Sequence, residues 1–567
     1  MKKNIQLIFF LLFTILSLIP VLSCAQTPSW QWARQAGANF DVSACSVTTD
    51  KTGNIYVLGG FSSSTITFGG ISLLNKGAID IFLVKYNSLG SVIWAKNFGG
   101  KDLDEGTSVT ADRFGNLYVA GCFYSDTLMF GSDTLINVGI PGYQTGTTDM
   151  FLVKYDVAGN ELWARRAGGA LRDSGLTVTT DISGNVYVAG TFSSHSIIFG
   201  ADTLTNSGNY DMFIARYDAA GNALWAKCAG GNYLDCAQSV TTDALSNCYV
   251  AGAFHSDTIA FDTTNLANPG NPLADIFIVK YNAEGNVIWA KRAGGTQGDF
   301  AQSISSDASG DIYMAGYFYG PGATFGFITL TNGYWNYSNA VFLAKYNTDG
   351  NVLWATKPES DNADFGWSVV SDSSGNNIYM TGQFSSNNFI FGLDTLHSPN
   401  NSYDIYIVKY DSLGNIIWTK SAGGNDEDIV ESIAADASGN VYITGYFQSP
   451  SITFGPSILT TSNWVAKMFI AKLGISTGIE NFENQNDMLI YPNPTNGNVI
   501  LEINFDKLEN IIISLYNIIG ERVYNETVNN AYGLFQKNIN ILGLSNGIYF
   551  IQIKVADAIM TKKIIKQ

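Results

Sequence analysis

The feature that most constrains this chain is a tryptophan-bearing strand that recurs seven times, at Trp32, Trp94, Trp163, Trp225, Trp289, Trp354 and Trp418. The spacings are 62, 69, 62, 64, 65 and 64 residues. Two further series keep the same beat. A tyrosine falls at Tyr56, Tyr118, Tyr187, Tyr249, Tyr313, Tyr379 and Tyr442, in segments such as GNVYVAGTF. A basic residue falls at Lys85, Lys154, Arg216, Lys280, Lys345, Lys409 and Lys472, in FLVKY-like segments. Three markers repeating in one order identify a repeat architecture.

The stretch Asp275–Gly295, DIFIVKYNAEGNVIWAKRAGG, shows what half a repeat contains. Ile276 to Tyr281 is β-branched and aromatic, residues 282–286 supply a glycine for a left-handed turn position, and the strand pattern resumes through Trp289. Two more strands precede this hairpin in each repeat, one SVTTD-like and one VYVAG-like, followed by a long connection. Four antiparallel strands per repeat is the blade of a β-propeller. Coils of a β-solenoid are shorter than about 64 residues and leave open ends. Here the ends complement each other. The chain enters at Ser29–Arg34 with a lone Trp strand, and the seventh repeat stops at Phe469–Lys472 without one. Pairing the two would close the ring and leave no sheet edge at the seam.

The expected fold class is therefore all-β: a seven-bladed β-propeller over 26–473, closed by its N-terminal strand, then a linker at 474–487 and a small Ig-like β-sandwich over 488–567. Strands in the last segment are expected at 498–505, 511–517, 522–528, 535–541, 547–555 and 560–565. Only 14% of residues are charged and 58 are glycine, which suits short strands and tight turns. A net charge of −17 excludes nucleic acid as a partner, since phosphate binding needs clustered Lys and Arg.

Residues 1–25 have the form of a secretory signal: Lys2 and Lys3, an apolar run from Ile5 to Leu22, then small residues before a cleavage point between Ala25 and Gln26. Val21-Leu22-Ser23-Cys24 leaves open a lipoprotein box, and an uncleaved anchor is the third reading. Five other cysteines, Cys45, Cys122, Cys228, Cys236 and Cys248, form a poor disulfide framework. A bridge among Cys228, Cys236 and Cys248 stays open.

Two aspartate series follow the repeat. Asp50, Asp112, Asp181, Asp243, Asp307, Asp372 and Asp436 end the SVTTD-like strand and read as turn residues. Asp41, Asp104, Asp173, Asp235, Asp299, Asp364 and Asp428 follow the Trp strand, in loops on the face that also carries the long connections. These seven are the candidate ligand-binding residues, placed to draw a cation or hydroxyl-rich ligand to the channel mouth; the alternative is that they cap the fold. The acidic runs at 102–105 and 426–428 give weak calcium potential without a complete loop, so no metal site and no cofactor other than possible calcium is assigned. Catalytic material is sparse. There are three histidines, His195, His255 and His397, and no HExxH. Gly543-Leu-Ser-Asn-Gly547 matches GxSxG but lacks the strand-to-helix setting of a nucleophile elbow.

Residues of about 30–473 resemble the SBBP, or seven-bladed β-propeller, repeat family through the GNVYVAG, FLVKY and WAKxAGG segments, which implies an architecture and no shared chemistry. YPNPTNG (491–497), LYNIIGERV (515–523), LSNGIYFIQI (544–553) and TKKIIKQ (561–567) resemble the type A sorting domain of the type IX secretion system. That resemblance implies the secretion machinery as a partner, passage across the outer membrane of a Gram-negative bacterium, and release or surface attachment. The expected function is a secreted or cell-surface binding or adhesion module for an extracellular glycan or protein. A carboxylate-dependent polysaccharide-degrading enzyme and a structural coat protein are the alternatives.

Overall fold

Tyr118, Lys154 and Trp163 show why three markers recur together. The Lys154 amine lies 5.1 Å over the Tyr118 ring, and the Trp163 indole packs 6.0 Å from that ring. Lys154 Nζ and Trp163 Nε1 then both donate to one carbonyl, Ala219 O, in the turn of the next repeat, at 2.8 and 3.2 Å. The markers are one device: a cation held on an aromatic face and a tryptophan bolted to the neighbouring repeat.

The computed structural model describes residues 28–139, 147–269, 273–333, 339–398, 400–462, 465–474, 488–518, 520–555 and 558–567. The expected signal segment, with its cleavage point at Ala25 and Gln26, and linker residues 475–487 lie outside them. The described residues are all-β and contain no helix. They form two units, one over Ser29–Gly474 and one from residue 488 onward.

The larger unit consists of repeated four-stranded antiparallel sheets. The first runs Val42–Thr49, Ile55–Phe61, Asp80–Tyr86, Val92–Phe98, in that order across the sheet. The same order recurs from first strands Asp104–Ala111, Asp173–Thr180, Asp235–Thr242, Asp299–Ser306 and Asp364–Ser371, the sheet from Asp235–Thr242 being continued past its fourth strand by Gly322–Phe325 and Ile328–Thr331. The last sheet takes Asp428–Ala435, Val441–Phe447 and Lys467–Gly474 and adds Ser29–Gln35 as its fourth strand, with Trp32 opposite Lys472 and Ala33 opposite Ala471. We number these sheets one to seven by their first strands. The second and third strands are buried almost end to end, because each sheet is covered on both faces; such strands read in sequence as unbroken apolar runs.

First strands neighbour one another in cyclic order, and the last returns to the first. A serine stitches them. Val109 N–H donates to Ser46 Oγ at 3.1 Å, Val178 to Ser108 at 3.2 Å, Ile304 to Ser239 at 3.0 Å, Val369 to Ser303 at 3.1 Å, Ile433 to Ser368 at 3.3 Å, and Val47 to Ser432 at 3.2 Å. The long connections carry secondary structure of their own. Their middles fold into hairpins such as Asp133–Ile136 with Thr127–Phe130, and these cover the outer strand: Asp133 Oδ2 accepts from Ala164 N–H at 2.9 Å. The outer strand, otherwise an open edge, is thereby partly covered.

The second unit is a five-stranded sheet: Met488–Tyr491, Asn498–Asn517, Arg522–Asn540, Gly547–Val555 and Ala558–Lys566. The four strands expected between 498 and 541 are two long ones. The polar stretch at 506–510 reads as a break, yet the pairing passes it through register shifts near Glu509. An irregularity carries the pairing past it. Its core holds Val499, Leu501, Ile511, Ile513, Ile551 and Ile553.

Candidate functional site

Six of the seven candidate aspartates, Asp104, Asp173, Asp235, Asp299, Asp364 and Asp428, are the first residues of first strands, not loop residues, and each is 0% exposed. Five of them accept from a serine within the fold, whereas Asp299 accepts from Gly295 N–H at 2.6 Å and its Oδ1 meets no hydrogen-bond partner among the described residues. Asp173 accepts from Gly169 N–H at 2.8 Å and Ser194 Oγ at 2.6 Å. Asp104, with Gly100 and Ser125, and Asp235, with Gly231 and Ser256, repeat the pattern; Asp364 and Asp428 take Ser386 and Ser449. The serine comes two residues after the phenylalanine that ends the second strand, a spacing visible in the sequence but unused in reading it. Asp41 is different. Val42 stands opposite Phe61 as Asp104 stands opposite Phe123, so Asp41 lies one residue ahead of the slot, exposed, and accepts from Ala466 N–H at 2.9 Å.

Each buried aspartate of this series except Asp364 has a second one beside it, the first residue of the preceding third strand: Asp80 with Asp104, Asp149 with Asp173, Asp211 with Asp235, Asp275 with Asp299 and Asp404 with Asp428. Arg166 pairs with Asp149, and Arg292 with Asp275 at 2.5 Å. Burial is the main force on these acids and raises them: Asp173, Asp211 and Asp404 to about 6, Asp428 to about 7, and Asp299 to about 8. Burial likewise lifts the solitary Asp364 to about 7. The turn series behaves as expected: Asp50 Oδ1 accepts from Thr52 N–H at 2.9 Å and Asn54 N–H at 3.0 Å.

The variable feature is elsewhere. In every first strand one residue is unpaired, a β-bulge just before the stitching hydroxyl residue and, in six of the seven, just after a Gly or Ala. From sheet one to seven it is Cys45, Thr107, Leu176, Gln238, Gln302, Trp367 and Glu431. A bulge re-aims a side chain, and here the scaffold repeats while the side chain changes. Glu431, Cys45 and Thr107 share a recess of about 730 Å³ with Asp41 and Glu105. Burial raises Glu431, and burial with Glu431 nearby pushes the Cys45 thiol up.

Trp367 belongs to an aromatic cluster. Its ring stacks on Phe365 at 5.7 Å and 12°, Phe300 stacks on Tyr317 at 5.2 Å and 30°, and Tyr317 meets Phe365 edge-on at 4.9 Å. Gln302 hydrogen-bonds Tyr317, and Trp367 Nε1 donates to Gln383 Oε1 at 3.1 Å. Sequence reading missed the bulges because an unpaired residue is defined by a partner strand. The available signal was that the residue before the recurring [ST]-[VI] pair varies from repeat to repeat.

All five described cysteines are free; Cys228 and Cys236 fall on the last and first strands of successive sheets, and Cys248 is buried on a second strand. Ser545 of the GxSxG match is exposed in the turn before Gly547–Val555. Among the described residues no three His, Cys, Asp or Glu side chains converge as a metal would require.

Residues 489–567 match the secretion system C-terminal sorting domain, and residues 162–191 match the beta-propeller repeat, SBBP. The sorting domain implies export by the type IX secretion system, to the cell surface or into the medium. The chain is 27% identical over 446 residues to the uncharacterized WD repeat-containing protein L264 of Acanthamoeba polyphaga mimivirus, covering 65% of this chain and 32% of that one. It is 30% identical over 178 residues to the regulatory protein FlaEY of Caulobacter vibrioides, covering 31% and 18%. It thus spans a third or less of the length of these relatives. A solved protein of unknown function from Dyadobacter fermentans aligns over 78% of this chain and 99% of its own, at 11% identity and a TM-score of 0.33.

Proposed function

We propose that this chain is a secreted or cell-surface binding and adhesion module. In this reading a seven-bladed β-propeller over 26–473 recognises a glycan or protein at one mouth of its channel. A linker at 474–487 joins it to an Ig-like sorting domain at 488–567, and the signal segment 1–25 is removed after Ala25. The pairing of Trp32 with Lys472 and the bond from Val47 to Ser432 support the closed ring.

The observation that carries the binding reading is the bulge position. Seven copies of one backbone device hold seven side chains of which only Gln recurs, whereas the stitching residues beside them are all Ser or Thr. A fold requirement would repeat the same residue; a surface that recognises a particular shape needs different ones. Of the seven candidate aspartates this reading keeps only Asp41, because the other six are completely buried. A thermal-shift screen of the chain against glycans and surface-protein fragments tests it: a ligand shift lost when Gln302 and Trp367 become alanine supports the site, and a shift indifferent to both overturns it.

Glu105 and Glu431 in one recess favour a second reading, a carboxylate-dependent glycan-cleaving enzyme. Product release that disappears in Glu431→Gln would establish it. Ligand recovered unchanged would leave the binding reading.

A further inference from the structure

Resting on the binding reading above, we infer that the aromatic corner made by Phe300, Tyr317, Phe365 and Trp367, continued by Glu431, is a subsite for an amino-sugar glycan carrying free amines. Two flat stacks meet there nearly at a right angle: Phe365 on Trp367 at 12°, Phe300 on Tyr317 at 30°, and Tyr317 against Phe365 at 80°. All four rings are only partly buried. The fold does not need them. At the positions of Phe365 and Trp367, sheet one has Ser43 and Cys45, and sheet two has Glu105 and Thr107. Flat aromatic faces with an adjoining polar rim suit the apolar face of a pyranose ring, whose hydroxyls stay free to hydrogen-bond.

The neighbouring chemistry selects among sugars. Glu431 holds the bulge position of the first strand next to that of Trp367, where Ile433 N–H donates to Ser368 Oγ. Beyond it the recess adds Asp41 and Glu105, and no Lys or Arg lines that recess among the described residues. An amine on the ring would sit between an aromatic face and carboxylates, favoured by both cation–π attraction and charge. A uronic acid or sulfated sugar would meet like charge on a chain of net charge −17. Hydroxyls fill the layer below, where Ser305 and Ser371 lie 2.9 Å apart and Thr241 and Ser306 3.0 Å apart. That layer suits a polyhydroxylated ligand better than a basic peptide.

Isothermal titration of the full chain near neutral pH, with a glucosamine hexamer, cellohexaose, a galacturonate hexamer and a lysine hexapeptide, tests this. The glucosamine hexamer is expected to bind about ten-fold tighter than cellohexaose, and the galacturonate hexamer not to bind. Trp367→Ala should weaken both neutral and amino sugars about ten-fold, and Trp367→Phe, which keeps an aromatic face, should retain most of the affinity. Glu431→Gln should remove the preference for the amine alone. Equal affinity for glucosamine hexamer and cellohexaose would overturn the amino-sugar assignment. Binding of the lysine peptide without any sugar would overturn the glycan while leaving the binding module standing. Protein-fragment ligands that depend on Gln302 or Cys45 with no sugar bound would do the same, and no ligand sensitive to any bulge residue would remove both.

Discussion

Val47 donates its backbone N–H to Ser432 Oγ at 3.2 Å, and this bond joins the first strand of the first sheet to the first strand of the last. It repeats, across the chain ends, the stitch that joins neighbours elsewhere, such as Val109 to Ser46. The seam is therefore made of the same parts as the rest of the ring: the serine stitch inside, and the Ser29–Gln35 strand on Lys467–Gly474 outside.

Deleting residues 26–37 should remove the strand that completes the last sheet, exposing Phe469 to Leu473 along one edge. Several buried side chains, including Ala33 and Trp32, go with it. We expect loss of cooperative melting or a drop of many degrees, whereas Ser432→Ala should cost only about 1 kcal/mol. Thermal melts followed by circular dichroism separate the two outcomes.

Gly285 has φ +82°, and a Cβ there would stand 2.8 Å from the Trp225 ring of the preceding sheet. Conformation and contact both exclude a side chain. Gly285→Ala should destabilise by about 3 kcal/mol, combining backbone strain with overpacking. Gly333→Ala, where a Cβ would meet nothing within 4 Å, should be close to neutral. Denaturant titration measures both.

Stability should fall as pH rises from 5 to 8. Buried Asp299 is lifted to about 8, Asp364 and Asp428 to about 7, and Asp173, Asp211 and Asp404 to about 6, each first by burial. A folded-state value above the unfolded one means the native chain holds protons that the unfolded chain releases. The stabilisation is complete below the unfolded value and is lost as pH passes through the folded one. Asp299→Asn keeps an acceptor for Gly295 N–H and removes the charge, so its melting temperature should depend less on pH than that of the parent chain. An unchanged slope would show that Asp299 does not titrate in this window.

Removing residues 488–567 should leave the Ser29–Gly474 unit folded, because that unit contains its own cores and the outer strand of its last sheet. The truncated chain should accumulate inside the cell envelope. Surface display of the truncated chain would contradict the role of the sorting domain.

The repeat was legible in sequence where one residue type does one job each time. Trp163, Lys154 and Tyr118 meet around a single carbonyl, so each is constrained and each recurs. The aspartate series misled at two points for physical reasons. Asp104 accepts from Gly100, four residues upstream, and from Ser125, just past the end of the second strand, so its burial depends on a strand pairing that local sequence does not display. Asp41 stands nine residues after Trp32, whereas the other six stand ten after theirs, and the register of Val42 against Phe61 shows that this one-residue offset takes it out of the slot. The bulge at Trp367 was hidden for the same cause, since an unpaired residue has no composition. In the sorting domain, polar residues near Glu509 signal a turn in sequence, while the long hairpin carries them as an irregularity.

On the proposed reading, ligand recognition resides in the bulge side chains. Thermal shifts of the full chain with neutral, amino and acidic glycans, compared with a Gln302→Ala/Trp367→Ala variant and an Asp104→Asn/Asp173→Asn variant, test it most directly. A shift of several degrees is expected with a ligand at about a hundred times its dissociation constant, lost in the bulge variant and kept in the aspartate variant. A shift kept by the bulge variant and lost with the aspartates would contradict it.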